Sequence, residues 1–207
     1  MQLKVENKFI EYFNESTEIY QGMSLIDREL GGTTPIDIVL TLPEEEIIID
    51  EDDFFFSEDS EVATYWWREK NMELLKSLKN SIDDVSGVGK VLSIANGAEF
   101  AENLNGGFPI GEAGLVFLKN SLLENDQAKQ IVDEYLTEDE RSTRISLRTV
   151  DSMDGLSRNE LLNEINAVLS AQLEGTDVSF YVSGLGVLYN NLLQSLFSSQ
   201  IKTFGVV

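Results

Sequence analysis

A strand–helix–strand pattern that occurs twice is the feature that most constrains the fold of this 207-residue chain. Residues 144–150 alternate apolar and polar side chains, which predicts a half-buried strand, and the β-branched run at 36–42 predicts another. Shorter runs at 90–95 and 178–182 predict two more strands. Two βαβ units in succession favour a ferredoxin-like α+β fold, in which helices pack on one face of a four-stranded sheet.

Helical periodicity supplies the connections between these strands. Apolar residues on one face of 62–85 predict the longest connecting helix, and Gly87 and Gly89 are expected to end it. Ser157 and Glu160 form a capping box that predicts the start of a second helix. The residues of that helix expected to face inward are Leu161, Leu162, Ile165, Val168, Leu169 and Leu173.

Two inserted segments and one flanking helix complete the predicted architecture. Residues 96–136 are interrupted by glycines and predict a helical insert, with its main break at 106–109. Residues 43–61 form an acidic insertion, expected to be a hairpin or loop. The spacing of apolar residues at 7–30 predicts an N-terminal helix that ends at the following glycine pair.

Charge and composition exclude several classes of function. The 15 Lys and Arg residues against 37 Asp and Glu give a net charge of −22, which repels phosphate backbones and excludes nucleic acid as a partner. The absence of cysteine and histidine removes thiol nucleophiles, the usual zinc ligands and Ser–His–Asp chemistry. No catalytic, cofactor-binding or metal-binding residue is therefore predicted, and the chain is not expected to be an enzyme. A hydrolase that uses a pair of carboxylates is the third of the three candidate functions that this composition allows.

The last segment, 184–207, contrasts with the rest of this acidic chain. Its only charged side chain is Lys202. Leucines at helical spacing share the segment with neutral polar residues, a composition typical of a helix at a membrane interface. Leu188, Leu192 and Leu196 are expected either to pack on the core or to lie exposed.

Both ends of the chain resemble one family. The runs FNESTEIYQGM at 13–23, LID at 25–27 and ELGGTTPIDI at 29–38 resemble the start of the first extracytoplasmic loop of MMPL-like exporters of the resistance-nodulation-division (RND) superfamily. The runs VSGL at 182–185 and LYNNLLQSLFSSQ at 188–200 resemble the amphipathic helix that leads into the second transmembrane helix. The hydrophobe/amphiphile efflux branch is the most similar.

The resemblance implies a transport function. Residues 6–184 would be a porter-type periplasmic domain, and 185–207 an amphipathic helix leading toward a transmembrane segment. The domain would contribute the extracytoplasmic route for hydrophobic or amphiphilic small molecules or lipids in a proton-driven exporter of the bacterial inner membrane. Its partners would be the transmembrane helices and second periplasmic loop of the same polypeptide, in a homo-oligomer. The family's proton-carrying carboxylates lie on membrane helices, so none is assigned here.

Aromatic residues supply the only candidates for a substrate-facing patch: Trp66, Trp67, Phe54, Phe55 and Phe56. The competing interpretation is core packing, which is the commoner fate of large aromatic side chains. Because adjacent residues on a helix point in different directions, one tryptophan is expected in the core and the other nearer the surface.

The acidic run 50–53 has carboxylates that calcium prefers. Phe54 and Phe56 occupy positions where a calcium-binding loop needs ligands or glycine, so a solvated loop is the favoured interpretation.

The alternative function is a soluble, cytoplasmic ligand-binding or regulatory domain with a ferredoxin-like fold. The N-terminus lacks the layout of a signal peptide, which agrees with that alternative. Such a domain would form a dimer through the helix at 185–201.

Overall fold

The computed structural model describes residues 13–44, 64–151, 153 and 157–204. The strands are β1 (Thr34–Thr41), β2 (Val88–Leu92), β3 (Ser142–Thr149) and β4 (Ser179–Ser183). The helices are α1 (Glu18–Glu29), α2 (Glu69–Asp83), α3 (Ala95–Leu104), α4 (Gly111–Leu123), α5 (Asp126–Tyr135), α6 (Arg158–Leu173) and α7 (Leu185–Phe204). A short 3-10 helix, Tyr65–Trp67, precedes α2. The mixture of helices and strands confirms the predicted α+β class.

The four strands form one sheet in the order β2-β3-β1-β4, and each neighbouring pair is antiparallel. The central pair aligns Ile36 with Leu147 and Ile38 with Ile145. All four side chains are fully buried. The alternation predicted from the sequence therefore gives β1 and β3 one apolar face each, on the same side of the sheet.

The main hydrophobic core combines this face of the sheet with α2 and α6. Leu75 and Leu78 of α2, like Ile165 and Leu169 of α6, have no exposed surface. The prediction for α6 is confirmed: five of the six expected residues are buried, and Val168 is partly buried. At its N-terminus, the Ser157 hydroxyl accepts the Glu160 backbone N–H at 3.3 Å, the contact that the capping box predicts.

The continuous helix predicted over 62–85 is wrong. Tyr65 has a φ of 44°, and Arg68 has an extended conformation that separates the 3-10 helix from α2. A positive φ is incompatible with a right-handed helix, so the periodicity of apolar residues extends across a turn here. The Asn71 side-chain amide donates to the Tyr65 carbonyl at 2.7 Å and holds that turn in place.

Two further boundaries differ from the sequence-based expectation. β2 begins at Val88, two residues earlier than predicted, and ends at Leu92, with α3 beginning at Ala95. Gly89 was expected to end a helix but lies inside the strand. Its backbone approaches Gly31 so closely that a Cβ at 89 would lie 1.9 Å from the Gly31 oxygen. The sequence alone does not reveal this long-range contact.

The predicted N-terminal helix, the helical insert and the acidic insertion lie outside the two βαβ units. Within the described part of the predicted N-terminal helix, α1 begins only at Glu18, after the Thr17 cap; residues 13–17 are not helical. The insert at 96–136 is helical as predicted, in three helices with a break at 105–110. Of the acidic insertion 43–61, residues 45–61 lie outside the described residues.

Candidate functional site

A buried polar junction is built by the glycine- and threonine-rich segment that follows α1. Asp27 is fully buried, and its Oδ1 accepts the Thr33 hydroxyl at 2.9 Å and the Asp151 backbone N–H at 3.1 Å. Gly32, with a φ of 105°, lets the chain pass beside β3: a Cβ there would lie 2.4 Å from the Thr149 oxygen. This junction fixes the end of α1 against the sheet.

Asp151 extends the junction to α6. Its Oδ2 accepts the Thr34 hydroxyl at 2.7 Å, and its Oδ1 accepts an Arg158 N–H at 3.0 Å. The Asp151–Arg158 ion pair is largely buried, which agrees with the rule that buried charges are paired. The carboxylates are engaged by protein groups, so we assign the junction a structural role: it connects α1, β1, the end of β3 and the start of α6.

One face of α7 packs on the rest of the domain. Gly186 lies against β1, where a Cβ would meet the Ile36 side chain at 2.9 Å. One turn later, Asn190 is buried, and its amide donates to the Asn159 side chain at 3.3 Å. The neutral polar residues of this helix therefore do more than face solvent, because one of them forms part of its contact with α6.

A second face of α7 is a stripe of exposed leucines. Their exposed fractions are 44% for Leu185, 62% for Leu188, 53% for Leu192 and 54% for Leu196. At 100° per residue, these four positions lie within one third of the helix circumference. We call these four residues the leucine stripe. Of the two outcomes expected from the sequence, exposure is the one observed.

Both tryptophans proposed as substrate contacts are buried. Trp66 is fully buried and Trp67 is 1% exposed, so the expectation that one would lie nearer the surface is wrong. The indole N–H of Trp66 donates to the Arg141 carbonyl at 2.9 Å, whereas that of Trp67 has no partner among the described residues. Both sides of the 3-10 turn are covered by other parts of the chain, since Trp66 contacts Arg141 before β3 and Trp67 lies beside residues of the insert. Phe54, Phe55 and Phe56 lie outside the described residues.

Trp67 borders a cavity of about 260 Å³ beneath the helical insert, and this cavity is half open to solvent. The cavity lies between the start of α3 and the helices α4 and α5. Its walls are mainly apolar and include Ile94, Leu122, Ile131 and Val132, and none of its lining side chains is charged. The sequence does not reveal this cavity, because its walls come from five separate elements: the 3-10 helix, β2, α3, α4 and α5.

The helical insert also exposes large aromatic side chains. Phe100, Phe108 and Phe117 are 65%, 70% and 75% exposed.

Two buried lysines connect the insert to α2. The Lys76 ammonium donates to Glu102 of α3 at 2.6 Å and to Glu73 at 2.8 Å, and Lys79 pairs with Glu99. Burial lowers the pKa of Lys76, but the hydrogen bonds to Glu102 and Glu73 outweigh it and hold the pKa above its ordinary value.

Among the described residues, no group of three or more acidic side chains is arranged to hold a metal ion. The acidic run 50–53 lies outside the described residues.

No protein-family model and no curated protein matches the chain. Within the ranges that the structure describes, no helix combines the length and the apolar character needed to cross a membrane.

Proposed function

We propose that this chain is the porter-type periplasmic domain of a proton-driven, MMPL-like RND exporter, located at the periplasmic face of a bacterial inner membrane. In this role the domain contributes part of the extracytoplasmic route for hydrophobic or amphiphilic molecules and catalyses no reaction. The leucine stripe of α7 is the observation that carries the proposal.

The leucine stripe lies in an uncharged segment of a strongly acidic chain. The chain has 37 acidic residues, yet 185–201 contains none and no basic residue either. Each exposed leucine side chain that moves from water to an apolar environment gains about 1 kcal/mol. A neutral helix with four such residues is suited to an interface with lipid.

The positions of the two flanking helices support the same proposal. The turn between α1 and β1 and the turn between β4 and α7 both lie at one end of β1. A Cβ at Gly184 would be 3.0 Å from the Pro35 oxygen, and Gly32 is adjacent in the chain to this end of the strand. A loop between two consecutive membrane helices has to return to the membrane where it began. The turns at Gly32 and Gly184 are about 150 residues apart in sequence, yet both lie at the same end of β1.

The finer fold that we propose is the ferredoxin-like arrangement of two βαβ units. The order β2-β3-β1-β4 with antiparallel neighbours supports it, as do α2 and α6, each of which connects two strands that are not neighbours. In the assembled exporter, the exposed phenylalanines of the insert would meet the second periplasmic loop or another copy of the protein.

Cysteine labelling of the full-length protein in intact cells tests the proposal. The 207 residues contain no cysteine, so Gln127→Cys on the exposed surface of α5 introduces a single thiol into this domain. We expect a membrane-impermeant maleimide to label it equally in intact cells with a permeabilised outer membrane and in lysed cells. The buried Ala98→Cys is the matched control, which reacts only after unfolding. Labelling that requires lysis of the inner membrane contradicts the proposal.

The leucine stripe also favours a second candidate, a cytoplasmic regulatory domain that forms a dimer through α7. Sedimentation of the 207-residue chain separates the two. The regulatory candidate requires a stable dimer that Leu188→Glu dissociates, together with labelling of Gln127→Cys only after lysis. A monomer at micromolar concentration contradicts it.

A further inference from the structure

We infer that the free edge of β4 pairs with β4 of a second copy of this chain, so that two four-stranded sheets become one continuous sheet across a twofold axis. The inference stands independently of the proposed transport role, because it depends only on this domain. Three observations carry it: an edge without a partner, a strand without the usual protection against pairing, and a strand sequence that is complementary to itself.

β4 lies at one edge of the sheet and pairs with β1 on one side only. Its other side therefore presents backbone N–H and C=O groups that no strand among the described residues covers. The helix that follows turns away from this edge, since Gly186 of α7 lies against Ile36 of β1. Tyr181, in the middle of β4, is 58% exposed. The edge is accessible to an added strand.

The two edges of the sheet differ in how they are protected. The β2 edge has a bulge between Val88 and Val91 and the exposed, charged Lys90. Bulges, charged side chains and prolines keep edge strands from pairing with other chains. β4 keeps a regular register with β1 and contains no charged residue, proline or glycine, although the chain has a net charge of −22. β4 is therefore the edge suited to accept another strand.

The sequence of β4 fits an antiparallel copy of itself. Its five residues, SFYVS, read almost the same in both directions about Tyr181. When Tyr181 lies opposite its own copy, Ser179 faces the partner's Ser183, and Phe180 faces the partner's Val182. The exposed side then has a tyrosine pair between two serine pairs, and the side toward the core has two pairs of an aromatic and a β-branched residue. Cross-strand pairs of these kinds stabilise a sheet.

A groove beside the free edge gives the second copy further surface to contact. The groove lies between α6 and β4, and its lining includes Ala167, Ser170, Ala171 and the partly buried Phe180. A twofold axis perpendicular to the sheet keeps the helices of both copies on the same side, so the two grooves face each other. Their small side chains allow close approach. The interface is nevertheless small, and small interfaces are typical of weak association.

We expect the 207-residue chain to dimerise weakly, between about 10 µM and 500 µM at roughly 0.15 M salt. Because the paired strands are uncharged while the two chains repel each other, higher salt should strengthen the dimer. Sedimentation equilibrium at several salt concentrations measures both effects. Leu188→Glu should leave this dimer unchanged, which distinguishes it from a dimer formed through α7.

Opposite charges at the centre of β4 test whether the partner is a second copy. Tyr181→Lys and Tyr181→Glu each place two like charges across from one another, so each variant alone should dimerise about tenfold more weakly or less. An equimolar mixture of the two should restore dimers, because opposite charges then face each other. Gln127→Lys, at an exposed position of α5, is the control and should dimerise like wild type.

Single cysteines on the same strand test the register. The sequence contains no cysteine, so each substitution reports one contact. Opposed residues of an antiparallel pair have Cα atoms about 4.5–5.5 Å apart, a distance that a disulfide spans. Under mild oxidation Tyr181→Cys should form a covalent dimer. Ser179→Cys, which is also exposed, should do so only when it is mixed with Ser183→Cys.

The inference is overturned if the chain stays monomeric up to about 500 µM, or if mixing the two charged variants fails to restore the dimer. It is also overturned if Ser179→Cys alone forms the disulfide as readily as Tyr181→Cys, or if Leu188→Glu dissociates the dimer. None of these results depends on the side of the membrane at which the domain lies. Failure of this interface and failure of the proposed function are therefore distinguishable.

Discussion

The carboxylate of Asp27 accepts the backbone N–H of Asp151, a residue 124 positions later in the sequence, at 3.1 Å. This contact fixes the C-terminal end of α1 against the turn that follows β3. Asp151 in turn binds Thr34 and Arg158, so the two carboxylates together join four elements. The motif at 29–38, which carries much of the family resemblance, therefore lies beside a structural junction.

Asp27→Ala should destabilise the protein by about 2–4 kcal/mol, because it removes the acceptor of the half-buried Thr33 hydroxyl and of the buried Asp151 N–H. Asp83→Ala, at an exposed position at the end of α2, is the matched control and should change the free energy of unfolding by less than about 0.5 kcal/mol. Urea unfolding followed by circular dichroism measures both. Equal effects of the two substitutions would show that the junction is not a main support of the fold.

Gly89→Ala should destabilise the protein by about 2–4 kcal/mol, because the new Cβ would overlap the Gly31 backbone and force β2 and the turn after α1 apart. Gly22→Ala lies in α1 with no atom within 4 Å of the added Cβ. It should stabilise the protein by about 0.5–1 kcal/mol through helix propensity. Thermal unfolding of both variants measures the difference, and a neutral Gly89→Ala would contradict the close approach.

Lys76→Met should remove part of the pH dependence of stability. The pKa of Lys76 is raised in the folded protein from 10.5, so its stabilising contribution is complete below that pH and is lost as the pH rises through the higher folded value. Wild type should exceed Lys76→Met by about 1–2 kcal/mol at about pH 9, and the difference should shrink by about pH 11.5. Urea unfolding at both pH values measures this.

Lys129→Met is the control for this measurement. It removes a pair with Asp133 in which both side chains are about half exposed. Such pairs contribute about 0–1 kcal/mol, so the control should show little difference from wild type at either pH. A difference for Lys76→Met that is constant across the pH range would contradict the role given to its ammonium group.

The leucine stripe should contribute little to folding. Leu188→Gln and Leu192→Gln should each change stability by less than about 0.5 kcal/mol, since both residues are more than half exposed and glutamine suits a helix almost as well as leucine. Leu169→Ala, at a fully buried position of α6, should cost about 2–5 kcal/mol. Chemical unfolding of the three variants tests this, and a large loss at Leu188 or Leu192 would indicate that the stripe belongs to the core.

The sequence predicts the elements whose signals are local. Alternation in β3 and the capping box at Ser157 depend only on neighbouring residues, and both predictions are confirmed. The break at Arg68 was missed because Tyr65, Trp66, Met72 and Leu75 still show helical spacing across it. Local periodicity does not register a single residue with positive φ.

The candidate sites depend on contacts that no local pattern encodes. The position of Gly89 after a helical run predicts a helix terminator, but in the structure Gly89 lies inside β2, close to the backbone of Gly31. The cavity brings Trp67 together with α3, α4 and α5, and the indole N–H of Trp67 has no partner among the described residues. By contrast, the sequence identifies Leu188, Leu192 and Leu196, because an uncharged amphipathic segment stands out in an acidic chain, but it leaves open whether they pack on the core or lie exposed.

The most direct test of the central claim is whether the leucine stripe enters lipid. An environment-sensitive NBD fluorophore is attached to Leu192→Cys, or to Asn191→Cys on a different face of α7, and each protein is mixed with neutral phosphatidylcholine vesicles. We predict stronger, blue-shifted emission at position 192 but not at 191, and loss of the effect when Leu188 and Leu196 are both replaced by glutamine. Unchanged emission at 192, or an equal change at both positions, would contradict the account.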